Sequence, residues 1–427
     1  LGLQVKRDRF CIMQEQRSGL WYLRTTEEIA SAGLYASLQG FQTQVFVNMH
    51  EIDDNEWGHY RALYDSLGGK GVRDIQMGIK NIFLKDLYDA LQRVFSTENI
   101  DSIKNLFSTA KSEGIPKELK EVLAETWKKP AENFYRVAAD FLKTRAETAP
   151  IVEGNKIADS IEITKTAGKF LDSIEALATI HAEISENKNE AFPPKRIFDG
   201  GIRALDLAAA ALCAGLRHLT IPPGNGTALA DIVDLWSLDR KIADIFTDAG
   251  IGDGKTEEVL GIMKKTALIF NERKTGKKMG CKDYAALVFA HPEAGALAGV
   301  HEWDGIQWFN KERAESIIDL IASLALIGTI RDQDSKPLKT AEVKKNYASA
   351  QDMIAESGYK TSFLPLPEIK AEKTKKPAGK SEKTAEKAAP KTAKTDKKSA
   401  TTVDNKKASK TEPASKSVGA ETKKPKK

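Results

Sequence analysis

The sequence predicts a mainly α protein of the α+β kind. A small N-terminal antiparallel β-sheet comes first, then a large multi-helix domain, then a disordered basic tail. Three observations predict this. The hydrophobic period changes once, inside Leu38–Val72, from two residues to three or four. From Asn55 onward apolar positions recur at helical steps. From Lys370 to Lys427 the chain is rich in Lys, Ala, Thr, Ser and Pro and has no aromatic residue, too poor in apolar surface to offset chain entropy. The implied organisation is a β module over 1–54, a helical subdomain over 55–195, a second over 196–369 with a short hairpin near 299–309, and a tail over 370–427.

The β module rests on two strand-like runs, KRDRFCIMQEQ and LWYLRTT, joined by Arg17-Ser18-Gly19 as a hairpin loop. Glu27 to Ala32 reads as a helical turn stopped by Gly33. Leu34 to Leu38 and Phe41 to Ile52 are read as further strands, the latter with Val45, Val47 and Met49 on one face. Asp53-x-x-Glu56 resembles a capping box, and the helix it opens carries Trp57, Tyr60, Leu63, Tyr64 and Leu67 on one face. Gly68, Gly69 and Gly71 end it.

Asp74 is placed to cap a helix with Ile75, Ile79, Phe83, Leu87, Leu91 and Val94 on one stripe. Helices over 102–112, 117–128 and 131–147 follow, with Gly114-Ile115-Pro116 and Pro130 as breaks. A long helix is expected over 155–187. Residues 199–219 are apolar nearly all round and therefore central. Further helices are expected over 228–249, 255–273, 282–290, 311–327 and 340–357. Asp304-Gly305 marks the turn of a hairpin over Gly299–Phe309, and Asn310 caps the helix after it.

Charge and cysteine content narrow the function. The tail holds nineteen lysines against seven acids, +12, so residues 1–369 carry −7 of the total +5. A mildly acidic body argues against a nucleic-acid-binding surface, leaving only weak, salt-sensitive binding through the tail. Cys11, Cys213 and Cys281 are far apart in sequence and form no C-x-x-C motif, which suits reduced thiols in a cytoplasmic protein. The longest apolar run, Leu205–Leu216, is too short to span a bilayer. The chain begins on Leu and is read as a fragment of a longer one.

No catalytic constellation emerges. Gly68-Gly-Lys-Gly71 lacks phosphate-loop spacing and reads as a helix stop. The six histidines form no metal-ligand pair, and the polar group His50, Glu51, Asp53 and Asp54 reads as capping residues rather than a cation site. No catalytic residue, cofactor or metal is therefore expected. Aromatic side chains remain the candidate binding groups, because their faces pack against sugar rings. Trp57 and Trp308 are assigned to the core. Trp303, flanked by His301, Glu302, Asp304 and Gly305, is expected on the surface, and Trp21 and Tyr22 lie together on one strand.

RFCIMQEQRSGLWYLRTTEEIASAGLYASLQGFQTQVFVNMHEI, followed by DNEWGHYRALYDSLGGKGVRDI, resembles the region after the catalytic barrel in large bacterial α-amylase-like proteins of glycoside hydrolase family 13. Those proteins carry a strand of the type VFLDFREV, then a helix, then L-x-G-x-G-V. LADIVDLWSLDRKIADIFTDAGI is similar to their W-x-L-x-R helix, and Gly305-Ile-Gln-Trp-Phe-Asn-Lys-Glu312 to their G-x-x-W-F-N-K-E segment. The likeness spans about residues 9–330. It departs where catalysis resides: no eight-fold strand–helix pattern, no D-x-x-x-N-H motif and no G-x-R-x-D motif occur. VFVNMHEI also loses the charged pair of the family strand, replaced by Asn48 and His50.

The resemblance implies a non-catalytic C-terminal portion of an enzyme acting on α-glucans by the two-carboxylate retaining mechanism. Its expected partners are the catalytic barrel of the parent protein and an α-glucan, contacted by Trp303, His301, Glu302, Trp21 and Tyr22. The alternative is an α-helical scaffold for protein interaction with a basic disordered tail.

Overall fold

The computed structural model describes residues 2–34, 38, 40–41, 43–110, 114–144, 156–186, 204–221, 226–251, 265–266, 280, 289, 292–330 and 338–363. Leu1–Lys370 form one compact unit. The tail lies outside the described residues, as do nearly all of the helices expected over 255–273 and 282–290.

The protein is mainly helical, with a three-stranded antiparallel sheet at its N-terminus. Strands β1 (Arg9–Glu15), β2 (Trp21–Thr25) and β3 (Phe46–Asp53) take the order β2-β1-β3. The β1 side chains alternate between two small cores, as a period of two dictates. Phe10 and Ile12 face Leu23, Leu63, Ile75 and Ile79. Cys11 and Met13 face Ile29 of α1 (Thr26–Ala32), whose first turn is capped by the Thr25 hydroxyl. Beyond β2, Val72 exchanges backbone hydrogen bonds with Trp21. Gly71 permits that approach: a Cβ there would lie 2.8 Å from the Tyr22 ring.

The third strand is shorter than its sequence pattern. It begins at Phe46 rather than Phe41, and Leu34 and Leu38 are not in a strand. Its register against β1 shifts between Ile12 and Gln14. Asn48 takes up the extra residue at φ 54°, a left-handed conformation that Asn adopts more readily than most residues. Its side chain donates to Gln14 Oε1. The bulge breaks the alternation, so Val45 and Met49 are exposed rather than sharing a buried face.

The expected Asp53–Glu56 capping box does not form. Asp53 pairs with Arg9 at 2.9 Å. Asp54 takes the capping role, accepting from the backbone N–H groups of Tyr60 and Arg61. Helix α2 (His59–Leu67) therefore starts after Gly58, which is left-handed, and Trp57 falls outside it. That places Trp57 on the surface, 57% exposed, against its assignment to the core.

The stripe from Ile75 to Val94 forms two helices, α3 (Ile75–Phe83) and α4 (Lys85–Val94), which meet at Leu84. Asp74 caps the first, accepting from Met77 N. Helix α5 (Thr97–Thr109) begins on a Ser96 cap. Helix α6 (Lys117–Leu123) does not end before Pro130. It continues through a π-turn, Ala124–Lys128, into α7 (Lys129–Thr144). Pro130 has no N–H for the carbonyl of Thr126, four residues back. The buried Asn99 amide donates to that carbonyl instead, and to those of Arg93 and Val94. The wider turn and a borrowed donor carry the helix past the proline.

A two-residue ribbon, β4 (Lys156–Ile157) with β5 (Thr220–Ile221), brackets α8 (Ser160–Glu186) and α9 (Ala204–Gly215). Helix α9 is buried from Leu205 to Ala214, as its all-round apolar sequence requires. A 3₁₀ turn, Leu216–Leu219, follows it. The single helix expected over 228–249 is two, α10 (Gly226–Leu235) and α11 (Leu238–Asp248), parted at Ser237 with φ 44°. Next come α12 (Pro292–Leu297), the hairpin strands β6 (His301–Trp303) and β7 (Ile306–Trp308), α13 (Lys311–Leu326) and α14 (Thr340–Glu356). One hydrophobic cluster runs from Leu84 to Ile354, drawing on helices from both sides of position 195.

Candidate functional site

The hairpin over residues 301–308 is built by its turn. Asp304 and Gly305 take φ 52° and 71°, the pair of left-handed residues that suits the twist of adjoining antiparallel strands. Cross-strand pairs are His301 with Trp308, Glu302 with Gln307 and Trp303 with Ile306. Alternation therefore sets His301, Trp303, Ile306 and Trp308 on one face and Glu302 and Gln307 on the other.

Neighbouring segments anchor the base of the hairpin. Phe309 N–H donates to the Tyr359 carbonyl, Asn310 N–H to the Ala298 carbonyl, and the Thr361 hydroxyl to Gln307. Lys360 Nζ sits 4.8 Å above the Trp308 ring. Asn310 caps α13 by accepting from Arg313 N–H. Trp308 is half-buried rather than core, and its buried Nε1 has no hydrogen-bond partner among the described residues.

At the tip the chain is open. Trp303 is 70% exposed, with Glu302, Asp304 and Gly305 exposed beside it. His301 Nδ1 lies 3.1 Å from the Gly299 carbonyl. A carbonyl only accepts, so Nδ1 carries the proton and Nε2 is left as an acceptor in the neutral ring. Trp303 and His301 share one face of the hairpin, with the Asp304 carboxylate at the turn and Glu302 on the other face. The tip can stack on the apolar face of a sugar and accept from its hydroxyls.

Trp21 and Tyr22 are placed differently. They lie on opposite faces of β2. Trp21 packs toward the Phe10 cluster, and Tyr22 toward the Met13 cluster with an edge-on contact to Phe46 at 5.7 Å. Arg24 lies 5.7 Å from the Tyr22 ring centroid. Both are half-buried and pack on the sheet, whereas His301, Glu302 and Trp303 belong to the hairpin. The five candidates thus occupy two elements with different supports.

Trp57 is the exposed aromatic residue that sequence reasoning assigned elsewhere. Its ring stacks on His59 at 5.8 Å, and His59 lies 4.1 Å from Phe83. Asn55 fixes the row: its Oδ1 accepts from the N–H groups of Trp57 and His59, and its Nδ2 lies 2.8 Å from His59 Nδ1. The signal was Gly58, a residue suited to starting a helix one position after Trp57.

The polar group around His50 is dispersed. Glu51 and Asp53 pair with Arg9, Asp54 caps α2, and His50 Nδ1 meets the Asn48 carbonyl. Among the described residues no group of three or more His, Cys, Asp or Glu is arranged to hold a metal ion. Burial pushes the thiols of Cys11 and Cys213 up, away from thiolate reactivity. Among the described residues no helix is long and apolar enough to cross a membrane.

Comparison of the chain with protein-family models, with curated proteins and with solved structures returned no match.

Proposed function

We propose that this chain is a non-catalytic module of an α-glucan-acting protein of the α-amylase type, and that the hairpin over residues 301–308 contacts the glucan. The observation that carries the reading is Trp303, 70% exposed at the tip of a short, anchored hairpin. A free indole face costs solvent exposure of apolar surface, and stacking on a sugar ring recovers it. The resemblance of the motif order to the post-barrel region of that family supports the substrate class.

Affinity electrophoresis in amylose or glycogen gels tests this. The chain should be retarded, and Trp303→Ala should restore free mobility while leaving the circular dichroism spectrum unchanged. Unretarded wild-type protein overturns it. Purified chain should also release no reducing sugar from starch; release would mean that it carries catalytic residues of its own.

A second reading, a protein-interaction module, is favoured by a different observation. Val45, Met49, Phe41 and Leu38 are exposed on and before β3, which is an edge strand. Edge strands with exposed apolar side chains accept a further strand or a protein surface. In the amylase-type parent that surface would belong to the catalytic barrel.

A further inference from the structure

Where the sheet module meets the helical body, a cleft of about 320 Å³ opens between α3 and α11. Its walls are tied together by long-range polar contacts. Arg240 Nη1 donates to Asp74 Oδ2 at 2.8 Å. Lys80 Nζ donates to Ser237 Oγ at 2.7 Å, across the left-handed turn that starts α11. Lys241 Nζ reaches Asn81 Oδ1 at 3.5 Å and lies 5.2 Å from the Tyr88 ring centroid. A non-glycine residue at φ 44° is strained, and the Lys80 bond helps to hold it. The cleft is therefore pre-formed.

Its lining is rich in charge yet balanced. Arg73, Arg240 and Lys241 face Asp74, Asp244 and Asp248, with Asn81 and Thr247 among them. Three cations against three carboxylates favour neither an anion nor a cation. Planar guanidinium, carboxylate and amide groups at one opening suit a ligand that both donates and accepts hydrogen bonds. Burial pushes the Asp244 carboxyl up, with Asp248 adding and Lys241, Arg240 and Arg73 opposing. The volume is near the lower end for small-molecule clefts, roughly 300–1,000 Å³.

We propose that this cleft holds one or two sugar residues of a neutral polyhydroxylated ligand, recognised through Asn81, Arg240, Lys241, Asp244 and Asp248. The choice of an α-linked oligosaccharide as probe rests on the glucan reading above; the chemistry of the cleft does not. The site belongs to different elements from the hairpin, so the two are separable.

Calorimetric titration of the full chain with maltotriose, run beside amylose gels, tests the proposal. Asn81 is exposed, so Asn81→Trp should fill the cleft without unfolding the protein and weaken maltotriose binding at least tenfold. Lys241→Met, which keeps the side-chain length, should give a smaller loss and serves where the first variant fails to fold. Trp303→Ala should abolish gel retardation, and the maltotriose binding that remains in it should still be weakened by adding Lys241→Met. Retardation without any effect of the cleft variants on maltotriose overturns the cleft and leaves the hairpin. Maltotriose binding lost in the cleft variants but no retardation supports the cleft and removes the hairpin. Absence of both, or tighter binding of citrate than of maltotriose, overturns the cleft outright.

Discussion

The helical body buries Trp127, Trp236, Tyr135 and Phe134 almost completely in one cluster, while the N-terminal sheet divides its apolar residues between two small cores and solvent. Val5, Leu38, Phe41, Val45, Met49 and Trp57 are all exposed within the first 57 residues; the remaining described residues leave only Val122, Ile161, Ile221, Leu235 and Trp303 so. A sheet with three strands has little surface to cover and one bulged edge, so it meets its polar requirements with caps and Arg9 pairs rather than volume. The body has enough helices to surround α9 on every side. The body therefore holds most of the buried apolar surface, whereas the sheet leaves a larger share of its own in solvent.

The largest expected effect sets the two cores against each other. Trp127 is fully buried and donates its Nε1–H to Ser102 Oγ at 3.0 Å. Trp127→Ala should cost about 3–5 kcal/mol by cavity formation and be felt across the whole cluster. Phe10→Ala empties an equally buried position in the sheet. Hydrogen exchange should show the first variant loosening amides from Leu84 to Ile354, and the second only those of β1–β3 and α2. Equal loosening of the helices by both would make the sheet and body one cooperative unit.

A smaller effect is expected at the π-turn. Asn99→Ala removes a donor from the Thr126 carbonyl, which already lacks one from Pro130, and from the carbonyls of Arg93 and Val94. The cost should be about 2–3 kcal/mol by chemical denaturation, since an unmet buried acceptor costs about 1–3 kcal/mol and water reaches some of them. Asn99→Ala combined with Pro130→Ala should recover part of it, because replacing the proline brings back the missing N–H. No recovery would place the loss in packing rather than in the Thr126 carbonyl.

Much of this fold was legible in the sequence, and the misses share a cause. Local chemistry gave the β1–β2 hairpin, the Asp74 and Asn310 caps and the Asp304-Gly305 turn, since each depends on a few adjacent residues. Breaks governed by distant partners were not legible. Pro130 reads as a helix end until Asn99 supplies its donor, and Ser237 reads as mid-helix until Lys80 holds its left-handed turn. The Asn48 bulge upset the face of Val45 and Met49 for the same reason: register depends on the partner strand. Trp303 could be placed on the surface from its polar neighbours. Trp57 was missed because helical spacing put it on an apolar face, although Gly58 beside it and the Asp54 cap place it before the helix. The cleft at Asp74 and Arg240 joins residues 166 positions apart, which no local pattern reports.

On the sheet, Val45→Thr with Met49→Thr should change stability by no more than about 0.5 kcal/mol, because neither side chain is buried. What should change is association: light scattering at high concentration should fall if the edge is adhesive. A large loss of stability instead would mean that β3 packs more of its surface than its exposure indicates, and would weaken the contrast with the body.

The finest distinction lies at the joint between the two regions, where two carboxyls respond to pH in opposite senses. Burial alone would raise Asp74, but the Met77 N–H and the Arg240 guanidinium outweigh it and hold the carboxyl below its usual range. A lowered folded-state pKa gives stability that is present above the unfolded value and is lost as pH falls through the folded one. Asp244 is raised by burial, so its contribution is fully present below the unfolded value and is lost as pH rises through the folded one. Mild acidification should therefore first relieve Asp244 and only later, in stronger acid, cost the Asp74–Arg240 pair. Melting curves from about pH 7 to about pH 3 on Asp74→Asn and Asp244→Asn separate the two. Asn still caps α3, so Asp74→Asn should flatten the loss in strong acid without removing the helix start. Asp244→Asn should raise stability near neutrality and remove the mild-acid gain. Each effect should be on the order of 1 kcal/mol or less, since the Asp74–Arg240 pair is partly exposed. Opposite slopes in the two variants would show that the joint itself is tuned; parallel slopes would return the acid response to the carboxylates of the protein as a whole.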